Sequence, residues 1–212
     1  MTKPYFKLLG KKLPKDLYVA FSGGSDSVCF THFLLTLGFK ITLLHFNHNI
    51  SLDDELAYNF TKSFAKEYSL ELITDHLNKP NNEKYSPEEY QRVYRYIFLE
   101  KFNDKPILMC HTLNDNMETW LFSSINGQSK LIPYRNKNII RPFMLNSKQL
   151  VEKYLKENNL NYYLDSTNFN LNLPRNFIRH NLMTEIFKIN KGFDSMISKL
   201  ILKKYKREFE NY

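Results

Sequence analysis

Cysteine is almost absent from the sequence. Cys29 and Cys110 are its only two, which excludes a disulfide framework, a CxxC redox or zinc motif and an iron–sulfur ligand set built from thiolates. A reducing, cytoplasmic setting suits such a chain. Glycine and proline are also scarce, six and eight in 212 residues, too few for a low-complexity chain. No stretch approaches the roughly 18 uninterrupted apolar residues of a membrane span. The opening MTKPYFKLLGKKLPK has no long apolar run either, so a soluble protein with no membrane partner is expected.

What the sequence does have is apolar residues at 42% and aromatic residues at 15%, enough to bury the core of one ordinary α/β domain with a helical extension. Basic residues exceed acidic ones, 30 against 22, for a formal charge of +8. That balance favours a polyanionic partner, nucleic acid first, although charge alone does not distinguish this from a Lys-rich protein without one.

Apolar runs alternate with helical patterns. Leu17–Phe21 reads as a strand that runs into Ser22-Gly23-Gly24, and Ser27–Leu37 as a helix stopped by Gly38. A strand over Ile41–His45, a helix from about Asp53 to Tyr68 with Ser51 and Asp54 at capping-box spacing, and a strand over Glu71–Thr74 follow. The polar stretch Asp75–Lys84 reads as a loop. Ser86-Pro87-Glu88-Glu89 supplies the N-cap, first-turn proline and acids of a helix to Phe102. Pro106–Cys110 is a fourth strand, and helices are expected over Asn114–Ser123, Ser147–Asn158, Arg175–Ile189 and from Asp194 to about Arg207. This order predicts βαβ units in a doubly wound parallel sheet, with ligands gathered at the strands' carboxyl ends. A catalytic domain over 1–190 and a basic helical tail over 191–212 are expected, the lysines of the tail lying on a solvated face.

The segment Ser22-Gly23-Gly24-Ser25-Asp26-Ser27 falls after the first strand and at the start of the next helix, where a parallel sheet binds anions. Paired glycines let the backbone come close to a phosphate, and helix N–H groups with the Ser22 and Ser27 hydroxyls can donate to it. Asp26 would repel a bare phosphate, so its natural role is to hold a Mg²⁺ bridging to pyrophosphate. Neither G-x-x-x-x-G-K-[ST] nor G-x-G-x-x-G is present. The string resembles instead the SGGxDS loop of PP-loop ATP pyrophosphatases, which cleave ATP between its α and β phosphates. That resemblance implies the adenine nucleotide alpha hydrolase-like fold, with a C-terminal helical extension here.

From about Leu17 to Ile189 the chain is similar to the catalytic part of the tRNA(Ile)-lysidine synthetases. His45-Phe46-Asn47-His48 with Asp53-Asp54-Glu55 resembles their HxNHxLR…D.E segment, without its Leu-Arg. Gln91–Tyr96 resembles ARxxRY, which implies that Arg92 and Arg95 turn toward nucleotide and tRNA. Cys110–Thr119 resembles GHxxDDxxET, with Asn114 in place of the first Asp and Cys110 in place of Gly. It implies a nucleotide contact at His111 and a joint role for Asp115 and Glu118, their carboxylates projecting together toward the amino-acid substrate or the metal. Asn126-Gly127 stands where the family has Arg-Gly. Arg141-Pro142 resembles RPL, and Asp165-Ser166-Thr167-Asn168 with Arg175-Asn176-Phe177-Ile178-Arg179 resembles DxSN…RNxxR, implying that Arg175, Asn176 and Arg179 border nucleotide and target base.

The resemblance implies a ligase that uses ATP and Mg²⁺. It would adenylate carbon 2 of the wobble cytidine of a CAU-anticodon tRNA(Ile) and then admit free lysine, releasing AMP and pyrophosphate. Asp26, Arg92, Asp115, Glu118 and Arg175 would be its catalytic residues, and a homodimer is compatible with it. Three other readings stay open: a PP-loop tRNA thiolase, a small-molecule ligase of the same fold, and a silent tRNA-binding homologue, the last prompted by Asn114 and Asn126.

Overall fold

A computed structural model describes residues 5–10, 12–78, 86–166 and 170–211, with the side chains of 87, 88 and 211 left undescribed. Thr167 and Asn168 of the expected DxSN block lie outside the described residues, as does most of the polar stretch before Ser86. The chain divides into two compact units: residues 14–109 with 160–165, and residues 1–13, 110–159 and 166–212.

The first unit holds four parallel strands, β1 (Asp16–Ala20), β2 (Lys40–Asn47), β3 (Glu71–His76) and β4 (Ile107–Met109), in the order β3-β2-β1-β4. Its register places Val19 beside Leu43 and Leu108, and Leu44 beside Ile73. Leu17, Val19, Leu43, Ile107 and Leu108 are wholly buried, as expected of short apolar strands covered on both faces. Helices α1 (Ser25–Thr36), α2 (Leu52–Glu67) and α3 (Pro87–Leu99) connect them. The chain steps outward from β1 to β3 and returns to place β4 on the other side of β1. The loop after β1 therefore lies at the point where the strand order reverses, the usual ligand crevice of such a sheet.

The caps read from sequence are present. Ser51 and Asp54 form a capping box on α2, and the Ser86 hydroxyl accepts from the Glu89 N–H at the head of α3. Asp75 and His76, read as loop because they are polar, instead extend β3: they pair with Phe46 and Asn47 of β2. An edge strand exposes alternate residues, so its polarity does not mark its end.

The second unit contains α4 (Leu113–Ile125), the two-residue strands β5 (Arg135–Asn136) and β6 (Ile139–Ile140) paired as an antiparallel hairpin, and α5 (Lys148–Glu157). Its rings cluster: Phe6 lies 4.7 Å from Phe143 and 5.0 Å from Tyr154. The helix expected from Arg175 to Ile189 is interrupted. It runs as a single turn, α6 (Pro174–Phe177), a π-helical turn (Ile178–Leu182), then α7 (Met183–Ile189). The wider turn puts Ile178 and Met183, five apart and both buried, on one face.

The segment from Lys191 is not wholly a solvated face. Helix α8 (Phe193–Asn211) buries Phe193, Ile197, Ile201 and Tyr205 at four-residue spacing, and Phe209 meets the Tyr134 ring at 4.7 Å. Lys199, Lys203, Lys204, Lys206 and Arg207 occupy the exposed side. Ile201→Ala should therefore lower the unfolding free energy by about 2–4 kcal/mol, with Lys203→Ala within about 0.5 kcal/mol of the parent, in denaturant titrations.

Candidate functional site

In the first unit the expected phosphate loop is built from residues adjacent in sequence. Gly24 is the N-cap of α1 and supplies no side-chain cap to its N–H groups, which leaves that helix end to receive an anion. Ser22 is exposed and Ser25 and Asp26 are half-buried in the turn that opens α1. Ser27 Oγ donates to the Gly24 carbonyl at 2.9 Å and lies 3.1 Å from Ser22 Oγ. Gly23 has φ +80°, and a Cβ there would stand 3.2 Å from Phe60 Cδ1 and 3.4 Å from Thr61 Oγ1. Glycine at 23 thus answers both a left-handed backbone and a close approach to α2.

Around that loop stand groups that the sequence alone did not assign to it. His45 is 3% exposed and its Nδ1 lies 3.0 Å from the carbonyl oxygen of Phe21. A carbonyl only accepts, so Nδ1 carries the proton. Burial holds the ring below the ordinary histidine range. His48 is held at about 4, by burial first and then by the positive charge of Arg95. Tyr163 donates its backbone N–H to the Gly23 carbonyl at 2.9 Å and its hydroxyl to Asp53.

Arg92 and Arg95 have different surroundings. Arg92 is exposed, its guanidinium 5.8 Å from the Tyr96 ring centroid on the same helix. Arg95 is half-buried in the surroundings of His48.

In the second unit, α4 opens with a capping box made by Thr112 and Asp115. The Thr112 hydroxyl accepts from the Asp115 N–H, and Asp115 Oδ2 accepts from the Thr112 N–H at 2.6 Å and its hydroxyl at 2.9 Å. Glu118, 5% exposed, is gripped by Arg179 through two bonds of 2.8 and 2.9 Å. The two carboxylates therefore do not project together toward a ligand: Asp115 folds back on its own helix start, and Glu118 turns to Arg179. Burial pushes the Glu118 carboxyl above its ordinary value, against the pull of Arg179.

The remaining expected residues are also partnered or packed. Asn176 is buried and donates to the Asn170 carbonyl at 3.0 Å. Arg175 lies 5.8 Å from the Phe122 ring centroid, and its charge weakly opposes the burial-driven rise of the Glu118 pKa. Arg141, 2% exposed, donates to the Pro133 carbonyl at 2.9 Å. His111 is half-buried one residue before Thr112.

A PP-loop domain profile matches residues 2–186. The chain belongs to the PP-loop family. Among curated relatives it is similar to tRNA(Ile)-lysidine synthase of Persephonella marina, 34% identical over 85% of this chain and 43% of the relative. The namesake of Thermotoga maritima is 30% identical over 88% of this chain and 49% of its own length, and that of Borreliella burgdorferi 33% over 92% and 47%. The chain thus spans less than half the length of these relatives. Among solved structures it is similar to the U34-tRNA thiolase NcsA from Methanococcus maripaludis with its [4Fe-4S] cluster, at TM-score 0.70 and 17% identity, over 95% of this chain and 76% of that one. At that identity the likeness shows the fold.

Two departures of this PP-loop chain from the synthetase pattern have structural accounts. Asn114 Oδ1 accepts from the Lys148 N–H at 2.9 Å, so the side chain at 114 ties α4 to the start of α5. Asn126 is the C-cap of α4 and donates to the Phe122 carbonyl at 2.8 Å, with Gly127 at φ +79° completing the turn.

Removing Arg179 leaves Glu118 buried without its cation. Arg179→Ala should cost about 1–3 kcal/mol at neutral pH. The remaining carboxyl keeps its proton to higher pH in the folded chain than in the unfolded one, so the deficit shrinks as pH falls. Urea unfolding at about pH 5 and about pH 8 checks this; an equal deficit at both contradicts it.

Proposed function

We propose that this PP-loop chain carries the adenylating and lysine-transferring chemistry of a tRNA(Ile)-lysidine synthase. The observation that carries the reading is the Ser22–Ser27 loop, placed after β1 where the strand order reverses, with an uncapped helix start behind it. The names of the relatives supply the substrate, and the formal charge of +8 suits an RNA partner.

In the proposed reaction the carbon-2 carbonyl oxygen of a wobble cytidine in a CAU-anticodon tRNA attacks the α-phosphorus of ATP. The bond to the β-phosphate oxygen breaks and pyrophosphate leaves. The loop N–H groups and the exposed Ser22 hydroxyl stabilise charge as it collects on that leaving group, while Ser27 donates its proton to the Gly24 carbonyl and shapes the turn. Asp26 fits a Mg²⁺, an ion that takes one or two carboxylates and finds its other ligands in phosphates and water; bound there it would neutralise charge on the pyrophosphate. Arg92 and Arg95 supply cations for the nucleotide and the tRNA backbone.

Free lysine then attacks carbon 2, the bond to the AMP oxygen breaks, and the amine gives up a proton. Glu118, neutralised by Arg179, offers little to an ammonium. The Asp115 carboxylate keeps Oδ1 outside its capping bonds and is the better partner for lysine. Glu118 then serves by holding Arg179 beside Asn176 and Arg175. A thiolase of the iron–sulfur kind is disfavoured, because two cysteines fall short of the thiolates that a [4Fe-4S] cluster takes.

The test is incorporation of labelled lysine into a CAU-anticodon tRNA(Ile) transcript with ATP. Incorporation by the parent chain and its loss by on the order of 100-fold or more in Asp26→Ala is expected. ATP cleavage without lysine transfer moves the assignment to another PP-loop activity. No cleavage with any RNA leaves a silent tRNA-binding homologue.

A further inference from the structure

A phosphate can rest against a peptide loop only if the loop's carbonyls face elsewhere, because carbonyl oxygens repel it as strongly as N–H groups attract it. In a trans peptide the C=O and the following N–H point to opposite sides. Fixing a carbonyl therefore aims the next N–H. Two carbonyls of the loop are fixed by residues from distant parts of the same unit. The Phe21 carbonyl accepts from His45 Nδ1 on β2 at 3.0 Å, and the Gly23 carbonyl accepts from the Tyr163 N–H at 2.9 Å.

We propose that His45 and Tyr163 are positioning residues for the phosphate loop, which by holding the carbonyls of Phe21 and Gly23 direct the N–H groups of Ser22 and Gly24 at the nucleotide's pyrophosphate. This rests on the nucleotide-binding reading of the loop and adds to it the groups that shape the loop.

Each holder is itself braced. Thr61 Oγ1 gives its proton to the Ala57 carbonyl at 2.9 Å, so toward His45 Nδ1, 3.3 Å away, it acts as an acceptor and keeps the ring's proton between itself and Phe21. The same Thr61 limits the space beside Gly23. Tyr163 lies in the short segment 160–165, whose place is fixed by the Tyr163 hydroxyl on Asp53 in the first turn of α2. Loss of solvent and the Asp53 carboxylate push that phenol up to about 12, so it stays a donor. The Gly24 N–H meanwhile makes only a long 3.4 Å bond to the exposed Ser22 hydroxyl, which a phosphate oxygen can displace.

The backbone bond at 163 and the side-chain bond at 45 allow different substitutions. Tyr163→Ala keeps the N–H and loses the ring and hydroxyl; Tyr163→Pro loses the N–H as well. His45→Asn keeps a side-chain donor; His45→Leu does not. Binding of MgATP and of magnesium pyrophosphate is measured by calorimetry, with KM for ATP and kcat for AMP release alongside and thermal unfolding as a control. Tyr163→Pro and His45→Leu are expected to weaken both ligands by about tenfold or more and to raise KM for ATP; Tyr163→Ala, which keeps the N–H but loses the Asp53 brace, falls between Tyr163→Pro and the parent, and His45→Asn stays within about threefold of the parent at comparable Tm.

Equal losses within a pair show that packing, not the carbonyl bond, matters, and overturn the proposal; so does parental affinity in Tyr163→Pro and His45→Leu. If Tyr163→Pro does not fold, the His45 pair decides by the same criterion. A parent chain that binds neither ligand removes the nucleotide reading and the proposal with it, whereas a parent that binds alongside unaffected variants removes the proposal alone.

Discussion

The direction in which a few peptide groups point governs the first unit. An anion can be held by backbone only where a strand ends, a helix begins and the intervening carbonyls are turned away, and the parallel sheet provides such a place beside β1. The other features around the loop follow from that demand. Gly23 has a backbone that a side chain would strain and a space that a Cβ would fill. His45 is buried and neutral with its proton on the nitrogen that faces Phe21, and Tyr163 reaches the loop by its main chain. Charge is almost incidental to this geometry, since no Lys or Arg lies within Ser22–Ser27.

The second unit is organised differently, around charge that is already spent. A bidentate Arg179–Glu118 contact with the carboxylate in the interior is costly to form and costly to break on one side. Its value lies in specifying where α4 and the π-helical turn meet. Asp115, Asn114 and Asn176 likewise spend hydrogen bonds on fixing helix ends and turns. A frame of this kind holds Arg175 and the residues near it in fixed positions, as any site that orients reactants requires.

Much of this was legible in the sequence because it is local. SGGSDS announces itself by composition and by its place between an apolar run and a helical pattern. Ser51 with Asp54, and Ser86 with Pro87, mark helix starts by chemistry confined to four residues. Most of what escaped is non-local or carried by backbone. No residue type encodes the N–H of Tyr163, and nothing in periodicity joins that residue to Gly23. The Thr112–Asp115 capping box obeys the same local rule as Ser51–Asp54, but it falls inside the stretch that resembles a ligand-binding motif, and four residues cannot tell a cap from a ligand contact. The burial of α8 was obscured by five exposed cations interleaved with Phe193, Ile197, Ile201 and Tyr205. The π-helical turn follows from a five-residue spacing between Ile178 and Met183 that helical periodicity does not anticipate.

In the proposed function the loop after β1 grips the β and γ phosphates as a leaving group, not the γ phosphate as a group to be transferred. Phosphorus NMR of ATP turned over in the presence of the RNA substrate separates the two. AMP and pyrophosphate are expected as the only phosphorus products. ADP and inorganic phosphate would contradict it.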